Sequence, residues 1–293
     1  MCPSGLDEFG ASDASILKRG MRIAAKVGLP VAVHAEDPDV IAKHQAAHPC
    51  PSPGSMADWL DSRPIAAELS AIRIAIELAA ETCCKLHIVH VTCAEGIDLV
   101  TQAKRSGVDV TAETCPHYLL LDRAAAVAIG PRAKCAPPIR EVARVEALWD
   151  RMETGAIDTL GSDHSPSPLD MKQGEDVFAM WGGIAGCQHG LPLLLDGKFG
   201  ALDPFMLATL ASANVAARFG LAGTKGCLAV GMDADFSILR STPRVIQQSD
   251  LLDRHKLSPY VGMNLRWQVE STWLRGRVVT AETRGQFVSP AKD

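Results

Sequence analysis

Over the first 165 positions, short apolar runs alternate with longer amphipathic stretches. The short runs span residues 29–36, 85–92, 108–114 and 156–163; they are rich in β-branched side chains or bounded by Gly and Pro, and most end in polar residues. This is the pattern of buried β-strands. Helical spacing fills the gaps. Between Asp61 and Cys83, Ile65, Leu69, Ile72, Ile76 and Leu78 fall mostly on one helical face. Asp61 or Ser62 is placed to cap that helix, and Pro64 suits its first turn. Residues 16–27, interrupted by Gly20, and residues 141–152 and 204–219 are further helices. Strand–helix–strand alternation predicts an α/β fold with a parallel sheet built from four units. A (β/α)8 barrel needs eight units and ~250 residues for the barrel alone. The four units are therefore either a small open sheet or one half of a barrel.

After about residue 226 the texture changes. Residues 231–239 read as a turn followed by a strand, and residues 267–282 as a hairpin turning at Arg275-Gly276-Arg277. The expected division is an α/β part over 1–226 and a small β module with its tail over 227–293, frayed from Phe287 onward.

Composition narrows the function classes. Of 293 residues, 47% are hydrophobic and 22% charged, which suits a packed globular chain and argues against disorder. The net charge of −5 and the absence of a basic run give no footprint for nucleic acid. No apolar stretch reaches the roughly 20 residues a bilayer span requires. Residues 1–5 lack the basic and apolar regions of a secretory leader, so a cytoplasmic protein without a membrane partner is expected. Nine cysteines, with no C-x-x-C pair, read as reduced thiols rather than a disulfide framework or a zinc ribbon.

In parallel α/β sheets, functional groups collect at the C-terminal ends of strands. His34 ends the first predicted strand, His90 the second and Asp163 the fourth. Two imidazoles and a carboxylate suit a zinc-class divalent ion. His87 and His90 are three residues apart, so strand alternation sends them to opposite faces. His90 lies nearer the strand end and is the candidate ligand, while His87 is expected to face the helical layer. His44, His48, His189 and His255 have no strand-end placement; the first two read as solvated residues. Asp163 could bind a metal, could move a proton as acid or base, or could simply cap the turn that follows.

Four runs occur in one order: Val33-His34-Ala35-Glu36, Val89-His90-Val91-Thr92, residues 113–119 beginning Glu113-Thr114-Cys115-Pro116, and Ser162-Asp163-His164-Ser165-Pro166. In this the sequence resembles the cyclic amidohydrolases, the group containing dihydropyrimidinases, hydantoinases, dihydroorotases and allantoinases. Residues 133–140, 181–186 and 254–262 are similar to the allantoinase branch. The resemblance extends from about Ser4 to Val279. It implies the second half of a (β/α)8 TIM-type barrel, followed by part of a small β-sandwich. It implies hydrolysis of a cyclic amide, allantoin to allantoate, by a homo-oligomer using two divalent metals, zinc being the expected one. It assigns His34 and His90 to one metal, and Asp163 to the other and to proton transfer. It gives the backbone at Ala136 and Gly182 the task of holding the ring's amide edge. The family's His-x-His pair does not occur here, and no strand lysine is placed to be the family's carboxylated metal bridge, Lys18 and Lys26 lying in a helical pattern. The resemblance thus implies a chain shortened at its N-terminal side and inactive as a lone monomer.

Overall fold

A computed structural model describes residues 10–290. The leader reading of residues 1–5, the start of the resemblance at Ser4 and the last three residues of the tail lie outside the described residues.

The α/β part runs α1 (Ala14–Lys26), β1 (Val31–Val33), α2 (Pro38–Ala47), α3 (Met56–Asp61), α4 (Ile65–Thr82), β2 (Leu86–Ile88), α5 (Ala94–Arg105), β3 (Val110–Thr114), α6 (Pro116–Leu120), α7 (Arg123–Ile129), α8 (Val142–Glu153) and β4 (Thr159–Leu160). Then come α9 (Gly190–Leu193), α10 (Pro204–Ala208) and α11 (Asn214–Arg218), followed by β5 (Phe236–Val245), β6 (Asn264–Leu274) and β7 (Arg277–Val278). The four predicted strands pair in parallel in the order β1-β2-β3-β4, and β5-β6-β7 form a separate antiparallel sheet. The parallel sheet is open: among the described residues, β1 has no strand on its other edge.

One face of the sheet is the core. Leu86, Ile88, Val110 and Ala112 are buried and join the same cluster as Ile72, Ile97 and Val100 of the covering helices α4 and α5. Along α4, Ala67, Ala71, Ala75 and Ala79 are all buried beside Ile72. These short side chains let the helix lie close to its neighbours, and little volume is left unfilled. The opposite face carries Ala32, His87 and Thr111 in lateral register, with Glu113 two residues further along β3. Ala32 is exposed there.

Two expectations are corrected. Neither Asp61 nor Ser62 caps α4: Asp61 ends α3, and Pro64 is the N-cap residue without a side-chain hydrogen bond. The extra short helix α3 intervenes, capped by a reciprocal Ser55–Asp58 box, which the apolar spacing did not reveal. His87 does not lie on the α4/α5 face. Its Nδ1 pairs with Thr111 Oγ1 at 2.7 Å and its Nε2 lies 3.5 Å from Glu113 Oε2. Its ring meets that of Phe219, the residue following α11, edge to face at 5.4 Å.

The predicted helix over 204–219 is α10 and α11 joined by a π-helical stretch, Thr209–Ala213. It closes the N-terminal edge of the sheet. Asn214 Nδ2 donates to Asp158 O at 2.8 Å, and Arg218 donates to Leu86 O at 2.5 Å and to the Asp109 carboxylate. The C-terminal edge is left for chemistry.

Candidate active site

His34 directly follows β1, and its parity with Ala32 sends it to the open face. His90 follows β2 by two residues, and simple alternation would send it beneath the helices with Ile88. Instead His90 has φ +44°, which breaks the alternation. Its Nε2 reaches 3.0 Å from His34 Nδ1, with the rings edge to face. Asp163, three residues beyond β4, has φ +42°. Positive φ in a non-glycine residue costs roughly 1 kcal/mol or more and persists where the surroundings enforce it, commonly at functional sites. Only five non-glycine residues adopt it among the described residues, and two of them are candidate site residues.

Around the histidine pair lies a buried network. His34 Nε2 donates to Glu36 Oε2 at 3.0 Å. Arg63 grips Glu36 with both arms, Nε to Oε1 at 3.0 Å and Nη2 to Oε2 at 2.6 Å. Burial alone would raise the Glu36 pKa, but the hydrogen bonds from His34 and Arg63 outweigh it and bring the carboxyl down to about 2. An ionised carboxylate only accepts, so His34, when neutral, carries its proton on Nε2 and presents a lone pair at Nδ1. Thr92, two residues past His90, donates from its backbone and hydroxyl to Glu68 at 2.7 and 2.5 Å. Arg140 joins Thr92, Glu68 and the Arg63 carbonyl at 3.0, 3.2 and 2.6 Å. Two residues after His34, Glu36 is ion-paired with Arg63, and two residues after His90, Thr92 is hydrogen-bonded to both members of the Glu68–Arg140 ion pair. Burial, assisted by the neighbouring His34, lowers the His90 pKa to about 3, so its imidazole is neutral.

Asp163 keeps an exposed surface, yet the protein packed around it raises its carboxyl pKa; His34 opposes this and Glu113 adds to it. A raised pKa suits a group that must both take and give a proton. Gly161, just before it, touches Glu113 so closely that a Cβ would fall 2.4 Å from that carboxylate. Ala136 is partly open between buried Cys135 and Pro137, and Gly182 is exposed between half-buried Trp181 and buried Gly183. Among the described residues, neither makes a backbone hydrogen bond.

A neutral imidazole held by a carboxylate on its far nitrogen is a usual donor to a divalent ion, and Glu36 holds His34 in this way, while Nδ1 of His90 has no hydrogen-bond partner among the described residues. Two nitrogens each ~2.0–2.1 Å from one zinc stand roughly 3 Å apart, so the His34–His90 pair fits as part of a ligand set. The set is not complete: among the described residues, no three His, Cys, Asp or Glu side chains gather closely enough to hold an ion. Asp163 senses His34 electrostatically without completing such a trio. His44 and His48 stack on each other at 4.5 Å and stay apart from the pair. Of the three candidates that spacing along the sequence named, the structure brings His34 and His90 into contact and does not gather Asp163 with them into a ligand trio. Spacing missed the roles of Glu36, Arg63, Glu68 and Arg140, whose signal is spatial; only the acid two residues after His34 was visible in the chain.

The model of the Amidohydrolase family matches residues 7–279. The chain belongs to the amidohydrolase family. Within the family it is 48% identical over 302 residues to an allantoinase of Rubrobacter xylanophilus, covering 100% of this chain and 66% of the relative. It is 41% identical to an allantoinase of Deinococcus radiodurans, covering 99% and 66%. Among solved structures it resembles an L-hydantoinase (dihydropyrimidinase) from Arthrobacter aurescens with a TM-score of 0.87 and 32% identity, covering 96% of this chain and 63% of that one. A D-hydantoinase from a Thermus species gives 0.83 and 26%, covering 97% and 63%. The chain thus spans about two thirds of the length of these amidohydrolase relatives. The likeness over nearly the whole chain identifies the open sheet as part of an amidohydrolase barrel rather than a free-standing α/β sheet.

Proposed function

We propose that this chain carries one part of the active site of an amidohydrolase that opens the ring of allantoin to give allantoate. The observation that carries the reading is the 48% identity to an allantoinase along the entire chain, together with the convergence of His34 and His90 at the sheet's C-terminal edge. Likeness to hydantoinases supports a second reading within the same chemistry, at the lower identities of 32% and 26%. The finer reading is of a zinc-dependent cytoplasmic homo-oligomer serving purine catabolism.

His34 and His90 would hold a divalent ion as two of its ligands, and such an ion lowers the pKa of water toward neutrality. The chain's own residues supply the rest. The peptide groups of Ala136 and Gly182 bind the cyclic amide through its C=O and N–H, which fixes the ring without selecting side chains. Water adds to the ring carbonyl, the ring C–N bond breaks, and Asp163 passes the proton from the attacking water to the leaving nitrogen. Glu36 and Arg63 keep His34 in the tautomer that presents Nδ1.

The test is production of allantoate with zinc, manganese or cobalt, hydantoin and dihydrouracil being run alongside. It compares the 293-residue chain with the same chain joined to the part of the Rubrobacter relative that it does not cover. We expect no turnover by the lone monomer, because two histidines fall short of the three or four protein ligands catalytic zinc takes. The joined enzyme should prefer allantoin, and Asp163→Asn should lower its kcat by about 10²–10⁴-fold, the usual share of a proton-transferring group. A joined enzyme that hydrolyses hydantoin or dihydrouracil but not allantoin overturns the substrate; one that binds metal and hydrolyses nothing favours a non-catalytic subunit.

A further inference from the structure

Two lysines lie in the interior without an ion-pair partner among the described residues. Lys134 is 2% exposed and Lys172 7%. A buried ammonium without a carboxylate is costly, and an apolar side chain of the same shape would be easier to accommodate. Burial lowers both pKa values to about 8, and for Lys134 the charge of Lys172 adds to the effect. The chain therefore carries two unfavourable charges that neither the core nor the proton-transfer chemistry uses.

Their partners are backbone carbonyls. Lys134 Nζ donates to Phe178 O at 3.2 Å and Met180 O at 2.5 Å. Lys172 Nζ donates to Gly183 O at 2.7 Å and Pro131 O at 3.0 Å. Three of these four carbonyls belong to the segment 173–186, whose regular structure is limited to a single 3-10 turn, Val177–Ala179, and an isolated bridge from Ile184 to His164. A segment without a helix or strand leaves its peptide groups unpaired unless something else satisfies them. Gly183 is tied at both ends: its N–H donates to Lys134 O at 2.8 Å, and its carbonyl accepts from Lys172. Its Cα packs so tightly on Ser165 that a Cβ would fall 2.4 Å from the hydroxyl oxygen. Lys134 also sits 4.0 Å over the ring of Trp59, and the Trp59 indole donates to Cys135 O at 3.0 Å. The two fastened stretches end at the two peptides left open: Gly182 immediately precedes Gly183, and Ala136 follows Cys135.

We propose that Lys134 and Lys172 are positioning residues for substrate: their ammonium groups fasten the 173–186 segment and residues 131–135 together, so that the peptides of Gly182 and Ala136 meet a cyclic amide in fixed geometry. The inference rests on the reading of those two peptides as the ring cradle. It accounts for buried cations where packing alone would favour methionine.

Lys134→Met and Lys172→Met separate this role from a general structural one, with Lys172→Arg, which keeps a cation and its donors, as the conservative control. Amide hydrogen exchange on the 293-residue chain is the first readout. Both methionine variants should exchange about tenfold faster or more across 178–186 while the core strands are unchanged. Their Tm should change little, since relief of a buried charge offsets the donors that the carbonyls lose. The second readout is the allantoin kinetics of the joined enzyme. KM should rise about tenfold with kcat within about threefold, a loss of uniform binding, and Lys172→Arg should recover most of the affinity. Unchanged exchange in 178–186, or a fall in Tm with protection lost throughout, overturns the proposal. So does faster local exchange with an unchanged KM. Absence of turnover in the unsubstituted joined enzyme instead overturns the functional reading, and the exchange result still decides whether the lysines fasten the segment.

Discussion

At the scale of single residues, the site is defined by local departures from regular geometry. His90 reaches His34 only because its φ of +44° turns the chain out of strand alternation. An alanine there would relax the backbone and remove a ring nitrogen together. His117 poses the opposite case. It is fully buried on α6, and neither ring nitrogen has a hydrogen-bond partner among the described residues. Burial lowers its pKa from 6.5 to about 3. In the unfolded chain it takes up a proton near its ordinary value, in the fold only far below, so between those values the unfolded state binds more protons. Stability from this group is complete above about pH 6.5 and is lost as the pH falls toward 3. His117→Phe should flatten that acid limb by an amount of the order of a few kcal/mol. Urea unfolding at pH 7 and pH 4.5 measures it, and an unchanged difference between the two pH values would show that His117 is hydrated in the fold. Glu36, held down to about 2, belongs to a lower window. Its contribution is complete above about pH 4.5 and disappears only as the pH approaches 2.

At the scale of elements, period-2 and period-3.6 patterns located the four strands and the long helices. The ends were set by other forces. The spacing that gave α4 its apolar face could not say that α3 would take Asp61, because a six-residue helix capped by Ser55 and Asp58 has almost no periodicity to read. Parity misplaced His87, since it presumed that helices cover the face opposite His90; the open face holds His87, Thr111 and Glu113. The segment 173–186 shows how an irregular element is held by contacts distant in sequence. Gly183→Ala would force a methyl against Ser165, and overpacking of this kind costs about 1–3 kcal/mol. We expect a lower Tm for this variant and faster exchange in the segment. Ile72→Ala, beneath the sheet and fully buried, should cost about 2–5 kcal/mol through the cavity it leaves, while local protection in 173–186 stays as it was.

At the scale of the whole molecule, the parallel sheet has an unpaired β1 edge among the described residues, and an exposed Ala32 on the face away from α4 and α5. Near that edge Ile23, Val27 and Leu29 are 65%, 62% and 50% exposed. Parallel strands are ordinarily covered on both faces, and a bare edge is a template for pairing. The isolated 31.2 kDa chain is therefore expected to self-associate. Light scattering after size exclusion should show species heavier than the monomer, and Ala32→Lys should shift them toward it. A strictly monomeric chain that binds no hydrophobic dye would contradict this.

Local sequence alone was enough for the α/β class, the order of four parallel units and the hairpin at Arg275-Gly276, and it placed three candidate groups, His34, His90 and Asp163, at strand ends. Each of these is written in local information: apolar periodicity, turn residues, or a polar residue at the end of an apolar run. Tertiary structure decided which face each histidine serves, because one residue with a positive φ overrides alternation. It also decided that Arg63, 27 positions beyond Glu36, would fix His34, and that Lys134 would meet carbonyls more than 40 positions away. Contacts of that range leave no periodic trace, since loop-closure cost rises only slowly with length and many distant partners are nearly equal on entropic grounds. The burial of the charges themselves, and so their pKa values, exists only once the helices have packed over the sheet and water has been displaced.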